Sequence, residues 1–296
     1  MRSSLVVRAL PVALVLAMSA CARESRPPQA RTADDFGDTL SAGAAPRRIV
    51  SLNPATTEIL FAIGAGDRLV GRTTYDMWPV AARAVPDLGP GLRPNVEAVL
   101  AAHPDLVILY ASDDNREAAR HLRAAGVQTA AFRVDRIADF ERVTRALGVL
   151  TGDSIPARAT VDSVRATLDR VRAATTALPH PTVFWPLYDQ PLLATGSGSD
   201  LNELIDIAGG RNVYGFMKEP SPRITFEDLM RRDPDVVLTS PESRPRYLAD
   251  PRWRALRALR DGHLLAVDTM LVLRPGPRLG EAARSMALLL HPGSVR

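Results

Sequence analysis

The stretch DSIPARATVDSVRATLDRVRAATTAL, residues 153–178, predicts one long helix around which the rest of the chain is organised. Its start offers Asp153 or Ser154 as a cap for the first free N–H groups, and Pro179 stops it. Valine and leucine recur at helical spacing with Asp and Arg between them, so one stripe is apolar and the opposite face is solvated. Such a helix is on the order of 35 Å long, about the width of a small domain. The stretch therefore predicts a rigid strut.

The sequence repeats on the two sides of this helix. The segments NVEAVLAAHPDLVILYASD (95–113) and TFEDLMRRDPDVVLTSPES (225–243) align without a gap at an offset of 227 − 97 = 130, which places Glu97 on Glu227. A weaker echo relates TEILFAIGAGDRLVG, from Thr57, to NELIDIAGGRNVYG, from Asn202, once one residue is gapped. The order helix, Pro-Asp, apolar strand recurs in any α/β protein, so coincidence is the alternative. We interpret the pattern as two copies of one α/β unit.

The N-terminus has the features of an export signal. Arg2 and Arg8 precede an apolar run, residues 9–18, that is too short to span a membrane, and small residues lead to Cys21. This arrangement resembles a bacterial lipobox, in which the cysteine thiol is acylated and anchors the mature protein to a membrane. Plain secretion with cleavage after a small-residue site is the alternative. The polar residues 22–45 then predict a flexible tether, with a small hairpin near 34–37.

Composition limits the function classes. The chain has 296 residues, of which 46% are hydrophobic and 24% charged, enough for two lobes of ordinary domain size. Its formal charge of +4 comes almost entirely from arginines interleaved with Asp and Glu, so a nucleic-acid partner is not expected. The five histidines are scattered, whereas a bare metal site needs three or four converging ligands. We therefore expect no metal site, and with the one cysteine acylated we expect no disulfide.

Alternating strands and helices predict the fold class. It is α/β, with two lobes that each contain a central parallel sheet flanked by helices and that are joined by the one long rigid interdomain helix. The expected parts are a lipoprotein signal peptide at 1–21, a tether at 22–45, an N-terminal α/β lobe at 46–152, the linking helix at 153–179, a C-terminal α/β lobe at 180–275, and a C-terminal helix and tail at 276–296.

Predicted strand ends select candidate binding residues, because ligands of open parallel sheets bind beyond the carboxyl ends of the strands. Aromatic residues make up only 5% of the chain, yet several fall at these ends, which indicates a flat, partly apolar ligand in the cleft. Closing the core is the other role open to each of them. The expected ligand-binding residues are Asn53, Pro54, Tyr75, Trp78, Tyr110, Trp185, Leu187, Tyr188 and Arg274.

Several motifs carry a resemblance to a known family. They are RIVSLNP with TEIL (48–60), the loop 75–79, the block 95–108 and RPGPR (274–278). In this order they resemble the substrate-binding proteins of bacterial importers for cobalamin, haem and ferric siderophores, over residues 32–292. The resemblance implies a ligand held between two lobes with little hinge closure, and delivery to a two-fold ABC permease in the inner membrane. We expect a monomer in the periplasm or another extracytoplasmic space, lipid-anchored through Cys21.

The resemblance also bears on the ligand. In cobalamin-binding members, a tyrosine at the position of Tyr75 and an aromatic residue at that of Tyr110 contact the corrin, and an arginine lies at the position of Arg274. The tryptophans that those members carry near Gly91 and Ser221 are absent here. We expect cobalamin or a related corrinoid, with a ferric siderophore or haem as the alternative, and no resident cofactor.

A docking role and a competing enzyme class complete the expectations. Glutamates at the positions of Glu97 and Glu227 are taken in those relatives to dock on permease arginines, so the resemblance and the internal repeat agree on permease docking. The segment GSGSD (196–200) before a predicted helix could instead cradle a phosphate. No Gly-x-Ser-x-Gly motif or nearby histidine base accompanies it, so catalysis is not expected.

Overall fold

Two parallel sheets organise the fold, one formed by the chain before the long helix and the other by the chain after it. The computed structural model describes residues 32–40 and 43–293. Its strands are β1 (Thr32–Ala33), β2 (Thr39–Leu40), β3 (Ile49–Leu52), β4 (Leu69–Gly71), β5 (Leu106–Tyr110), β6 (Gln128–Phe132), β7 (Thr182–Phe184), β8 (Pro186–Asp189), β9 (Leu192–Ala194), β10 (Arg211–Asn212), β11 (Val236–Thr239) and β12 (Leu264–Ala266).

Helices cover the sheets and connect their strands. The α-helices are α1 (Pro54–Ala62), α2 (Val96–Ala101), α3 (Asp113–Ala124), α4 (Ile137–Thr151), α5 (Ser154–Thr175), α6 (Asp200–Ile207), α7 (Phe226–Arg232), α8 (Arg244–Ala249), α9 (Pro251–Arg254), α10 (Arg257–Arg260), α11 (Thr269–Val272) and α12 (Leu279–Leu290). Short 3-10 helices occur at Gly66–Arg68 and Val80–Ala84.

The first sheet has the strand order β4-β3-β5-β6, and all of its pairs are parallel. Its central strands β3 and β5 are buried and mostly apolar because helices cover both faces. In β5, Leu106 and Ile108 belong to one buried cluster, whereas Val107 and Leu109 belong to another. This division follows from the alternation of side chains along a strand. The fully apolar strand therefore serves two cores at once.

The second sheet has the order β10-β7-β11-β12 and is also parallel. In β11, Val237 joins a cluster confined to the C-terminal lobe, together with Trp253 and Leu264. On the opposite face, Leu238 joins the cluster that contains Leu106 of the first lobe. The two lobes thus share one apolar core on one side of each sheet. The predicted α/β fold with two parallel-sheet lobes is confirmed.

The predicted strut is the helix α5, but it is not free-standing. Its predicted stripe of Val161, Val164, Leu168 and Val171 is buried, against α4, which the sequence analysis missed, and α12. A Cβ on Gly148 of α4 would lie 2.4 Å from the Ala157 Cβ, so this glycine permits the close approach of the two helices.

The predicted cap of this helix was wrong. Asp153 occupies the N-cap position of α5, but its side chain makes no capping hydrogen bond. Its carboxylate instead pairs with Arg68 of the first lobe. The Ser154 hydroxyl donates to the Gly148 carbonyl at 3.2 Å rather than capping. The first turn of the linking helix is therefore fixed by contacts with other elements.

The internal repeat is reproduced in the backbone. The helices α2 and α7 begin in the same way, since the side chains of Asn95 and Thr225 each accept a backbone N–H three residues later at 3.1 Å. Each unit then has one residue in the left-handed region just before its Pro-Asp pair, His103 with φ 48° and Asp233 with φ 37°. Both positions differ by the offset of 130 found in the sequence.

Parts of the N-terminal expectations lie outside the described residues. These parts are the signal peptide, the lipidation residue Cys21 and half of the tether, residues 22–31, 41 and 42. At the end of the tether, β1 and β2 form the small antiparallel hairpin suggested by the sequence. In the described part of the chain, no helix combines the length and the apolar character needed to cross a membrane.

Candidate functional site

A cavity of about 530 Å³ opens at the carboxyl ends of β7 and β11. Three expected binding residues line it, because the chain leaves β7 at Trp185 and turns directly into the β8–β9 hairpin. The lining residues are Trp185, Pro186, Leu187, Tyr188, Asp189, Gln190, Thr239, Ser240, Ser243, Arg246, Tyr247, Thr269 and Leu273. Trp185 is almost fully buried, whereas Tyr188 is 61% exposed. The strand-end rule thus leads to a real concavity in the second lobe.

The cavity wall is rich in hydroxyl groups, and its arginine is already paired. Arg246 Nη2 lies 2.5 Å from Asp189 Oδ2. The Tyr247 hydroxyl donates to Asp189 Oδ1 at 2.6 Å, and burial, together with this carboxylate, raises the pKa of Tyr247. The buried Thr239 hydroxyl has no hydrogen-bond partner within residues 32–40 and 43–293. The wall therefore offers neutral hydrogen-bonding groups rather than a free charge.

The edge of this cavity leads to the expected residues of the first lobe. Leu273 lines the cavity, and the next residue, Arg274, donates from Nη2 to the Tyr75 carbonyl oxygen at 2.6 Å. The Tyr75 side chain itself is 56% exposed. Trp78 lies close by in sequence, with the Arg278 guanidinium 4.6 Å from its ring centroid. The structure thus brings Tyr75, Trp78 and Arg274 together.

A buried glutamate that the sequence analysis missed holds these arginines. Glu58, on α1, is only 1% exposed, and its two carboxylate oxygens lie 3.4 Å from Arg274 Nη1 and 3.7 Å from Arg278 Nε. Burial raises the pKa of Glu58, while Arg278 and Arg274 oppose that shift. The signal was available, because Glu58 is a charged residue within an otherwise uncharged helix sequence. This network joins the segment that follows β12 of the second sheet to the first lobe.

A second buried carboxylate fixes the loop that carries Tyr75 and Trp78. Asp76 accepts hydrogen bonds from the Thr57 hydroxyl, the Thr73 hydroxyl and the Thr73 backbone N–H, each at 2.9 Å. Burial raises the pKa of Asp76, and these hydrogen bonds oppose the shift. These hydrogen bonds hold the loop in one conformation.

Three other expected residues take part in contacts within the first lobe. Asn53 is buried, caps α1 by accepting the Ala55 N–H at 3.1 Å, and is followed by Pro54 in the first turn. The Tyr110 hydroxyl donates to Asp135 Oδ1 at 2.9 Å. Burial and the Asp135 carboxylate raise the pKa of Tyr110 to about 12. Both polar groups are thus committed internally, while the Tyr110 ring remains partly exposed.

The GSGSD segment is used by the chain itself. The N–H of Gly196 donates to the Pro220 carbonyl at 3.1 Å, and the N–H of Ser197 donates to the Met217 carbonyl at 2.8 Å. A Cβ on Gly198 would lie 2.5 Å from the Lys218 carbonyl oxygen, so this loop packs directly on backbone. These N–H groups are therefore not directed at a phosphate.

Asp200, which ends that segment, lies at the junction of the lobes. Its N–H donates to the Asp135 carbonyl of the first lobe at 3.2 Å. Its Oδ2 atom is buried and has no hydrogen-bond partner in the described part of the chain. Burial raises the pKa of Asp200 to about 7. The junction therefore contains a carboxyl group that titrates near neutral pH.

The expected docking residues are exposed and unpaired. Glu97 and Glu227 lie in the first turns of α2 and α7, and both side chains face solvent. Neither carboxylate has a hydrogen bond or an ion pair within the described residues. Two equivalent, uncompensated carboxylates thus stand on the two lobes.

Two further expectations concern what the site lacks. Among residues 32–40 and 43–293, no group of three or more His, Cys, Asp or Glu side chains is arranged to hold a metal ion. At Gly91, where cobalamin-binding relatives carry a nearby tryptophan, φ is +85° and a Cβ would lie 2.7 Å from the Leu52 carbonyl oxygen. This backbone excludes a large side chain at Gly91 itself.

Comparison with known proteins agrees with this architecture. Residues 49–269 match the family described as "Periplasmic binding protein". An uncharacterized ABC transporter substrate-binding lipoprotein, YvrC of Bacillus subtilis, is 27% identical over 261 residues, covering 85% of this chain and 82% of that protein. A cobalamin-binding protein of Halobacterium salinarum is 30% identical over 279 residues, covering 88% and 74%.

A solved structure gives the same result at the level of the fold. The periplasmic heme binding protein from Pseudomonas aeruginosa superposes with a TM-score of 0.75 at 27% identity, covering 84% of this chain and 94% of that one. The match to the family spans most of the chain, and the two-lobed fold and the strand-end cavity are consistent with it. The chain belongs to the periplasmic binding protein family.

Proposed function

We propose that this protein is an extracytoplasmic substrate-binding lipoprotein that captures cobalamin or a related corrinoid in the cleft between its lobes. It delivers the ligand to an ABC-type permease in the inner membrane. Family membership and the names of the relatives support a solute-binding role and point away from catalysis. In this proposal Tyr75, Trp78 and Arg274 contact the ligand from one side of the cleft, and Trp185, Leu187 and Tyr188 contact it from the other.

The observation that carries the corrinoid proposal is the chemistry of the cavity wall. A corrinoid presents amide groups around its rim, and these are neutral donors and acceptors. The wall matches them with hydroxyls of Thr239, Ser240 and Ser243, and its Arg246 is neutralised by Asp189. The flat macrocycle would find aromatic contacts at Tyr75 and Tyr188. The similarity to a cobalamin-binding protein points in the same direction.

Haem or a ferric siderophore is the second candidate. Haem needs a protein ligand for its iron, which is a histidine, cysteine, methionine or tyrosine in known haem proteins. None of the described residues that line the cavity is a histidine, but Tyr75 and Tyr188 are each more than half exposed and could take this role. The structural similarity to a heme binding protein favours this alternative. The paired state of Arg246 argues against it, because the two haem propionates call for free cations.

Isothermal titration of the protein without residues 1–21 tests the ligand. Thr32–Arg296 is one compact unit, so this form should fold without the leader. We expect cyanocobalamin to bind at one site per chain and haemin to bind more weakly. No heat with cobalamin, alongside clear binding of haemin or a ferric siderophore, would replace the corrinoid proposal by its alternative.

Delivery requires an anchor and a docking surface. We propose that acylated Cys21 keeps the protein, as a monomer, at the membrane, and that Glu97 and Glu227 meet cationic residues of a two-fold permease. Their equivalent positions in the internal repeat and their lack of intramolecular partners support this role. Charge pairs of this kind mainly set orientation and association rate.

A further inference from the structure

The two proposed docking glutamates have different neighbours. In α7, with the sequence FEDLMRR, Arg231 follows Glu227 by four residues. A glutamate four residues before a cation is the favourable order for an ion pair on a helix. In α2, with the sequence VEAVLA, the equivalent position is Ala101, so this helix has no cation four residues after Glu97. On its own helix, Glu227 therefore has an arginine that could neutralise its carboxylate, whereas Glu97 has none.

Asp228 accepts hydrogen bonds from both arginines of α7. Its Oδ1 atom accepts from Arg231 Nη2 at 2.9 Å, and its Oδ2 atom accepts from Arg232 Nε at 2.7 Å. The hydrogen bond from Arg232 is the main cause that holds the pKa of the Asp228 carboxyl below its usual value, and other nearby groups contribute less. The Asp228 N–H donates to the Thr225 hydroxyl at 3.1 Å, which fixes this residue in the first turn. The equivalent residue in the first lobe is Ala98.

The two arginines differ in what else holds them. The Arg232 guanidinium lies 4.5 Å from the Phe216 ring centroid and 4.9 Å from that of Tyr214. These contacts keep it in place without Asp228. Arg231 has a side chain that is 71% exposed, and Asp228 is the one partner recorded for it within the described residues. Loss of Asp228 would therefore release Arg231 in particular.

We infer that Asp228 is a positioning residue of the permease-docking surface, because it holds Arg231 away from Glu227 and so leaves the Glu227 carboxylate free for a cationic face of the permease. This inference rests on the proposed docking role of Glu97 and Glu227. It explains why Asp228 accompanies the arginines in one lobe while the other lobe has alanine at all equivalent positions.

The inference is tested by measuring how fast the ligand-loaded full-length protein associates with its permease. The permease of the same transport system is purified and placed in phosphatidylcholine nanodiscs. We expect D228N to lower the association rate about threefold or more at low salt and much less at about 0.5 M salt, where exposed charges are screened. The double variant D228N/R231A should recover the parent rate, because the released cation is gone. A role of Asp228 in helix stability alone would not be rescued by R231A.

Grafting the arrangement onto the first lobe gives an independent test. A101R should place an uncompensated arginine beside Glu97 and slow docking, and A98D/A101R should restore it. Ala101 is exposed, so this change leaves the fold intact. Parent-like docking by both D228N and A101R would overturn the inference, as would failure of both second-site changes to restore docking.

The glutamates themselves separate this inference from the proposed function. E97A/E227A should bind ligand like the parent and dock slowly. Parent-like docking by E97A/E227A would refute the proposed docking role. Slow docking by E97A/E227A with parent-like docking by D228N would refute only the role of Asp228.

Discussion

The two lobes start their central strands by the same device. Asp105 Oδ1 accepts the backbone N–H of Arg48 at 3.0 Å, at the entry to β3. In the second lobe, Asp235 Oδ2 accepts the N–H of Thr182 at 2.8 Å, at the entry to β7. In each case the aspartate directly precedes one strand, and its side chain holds the start of the neighbouring strand. The Pro-Asp pair of the repeat is therefore a register device, which is why it recurs.

The helices that follow the first strand of each lobe also correspond. The helices α1 and α6 both end at a left-handed glycine, Gly64 with φ 86° and Gly209 with φ 79°. The two glycines align with each other in the weaker sequence echo, at an offset of 209 − 64 = 145. Glycine is favoured there because this conformation is costly for other residues.

The lobes differ in how deeply their equivalent glutamates are buried. Glu58 of α1 pairs with Arg274 and Arg278, which follow the last strand of the second sheet. In the weaker echo it aligns with Glu203 of α6, which pairs with Arg136, a residue that follows the sheet of the first lobe. Glu58 is 1% exposed and the Glu203 side chain is 24% exposed. One clamp is thus an internal ion pair and the other lies near the surface.

Replacing these two glutamates in turn should show the difference in burial as a difference in stability, and we expect the largest effect of all at Glu58. We expect Glu58→Ala to lower the free energy of unfolding by about 4 kcal/mol, since it leaves two largely buried arginines without their counter-ion. Glu203→Ala should cost about 1 kcal/mol, because its partner remains hydrated. Urea unfolding measures both. Equal losses would mean that burial does not distinguish the clamps.

A titratable residue distinguishes the helix starts. The first residue of α6 is Asp200, whereas that of α1 is Pro54. The folded state raises the pKa of Asp200 from 3.8 to about 7, so it retains a proton that the unfolded chain releases near pH 4. The contribution to stability is therefore full below pH 4 and is lost as the pH rises to about 7.

Replacing Asp200 should remove this pH dependence. We expect Asp200→Asn to exceed the parent in free energy of unfolding by about 2 kcal/mol at about pH 8, and to match it at about pH 4. Urea unfolding over this pH range measures the difference, with Asp206→Asn on the same helix as the control. A constant difference between variant and parent at all pH values would contradict the prediction.

Ligand contacts on the two lobes give the smallest effects. Tyr75 of the first lobe and Tyr188 of the second are each more than half exposed, and we propose that both contact the ligand. We expect each Tyr→Ala change to weaken cyanocobalamin binding by roughly 1 to 2 kcal/mol, the scale of one aromatic contact. Titration calorimetry measures this, with Ile155→Ala on the linking helix as control. An effect of Tyr188 alone would confine the ligand to the second lobe.

Local periodicity allowed much of the fold to be predicted, and one miss was avoidable. The repeated segments predicted an apolar strand after each Pro-Asp pair, and β5 and β11 lie at these places. The helix α4 was missed although Phe140, Val143, Leu147 and Leu150 recur at helical spacing. The short helices in residues 244–260 were missed for a better reason, since four- to six-residue helices carry no measurable period.

The candidate site was predictable only in part. The strand-end rule found Trp185, Leu187 and Tyr188, because a chain that leaves a parallel sheet must emerge at this edge. It did not find that β8 and β9 pair as an antiparallel hairpin outside the sheet. Nor did it find Arg246 and Tyr247, which reach the cavity from the separate helix α8. A lining residue on a distant helix leaves no local pattern.

The sequence by itself determined the apolar stripe of the linking helix, the repeated Pro-Asp strand entries and the equivalence of Glu97 with Glu227. These are encoded within one turn or one strand, where spacing alone decides which side chains share a face. Only the tertiary structure decided that Asp153 pairs with Arg68 and that Glu58 pairs with Arg274. The latter residues are 216 positions apart, so their contact depends on how two lobes fold against one shared core, and no local period records it.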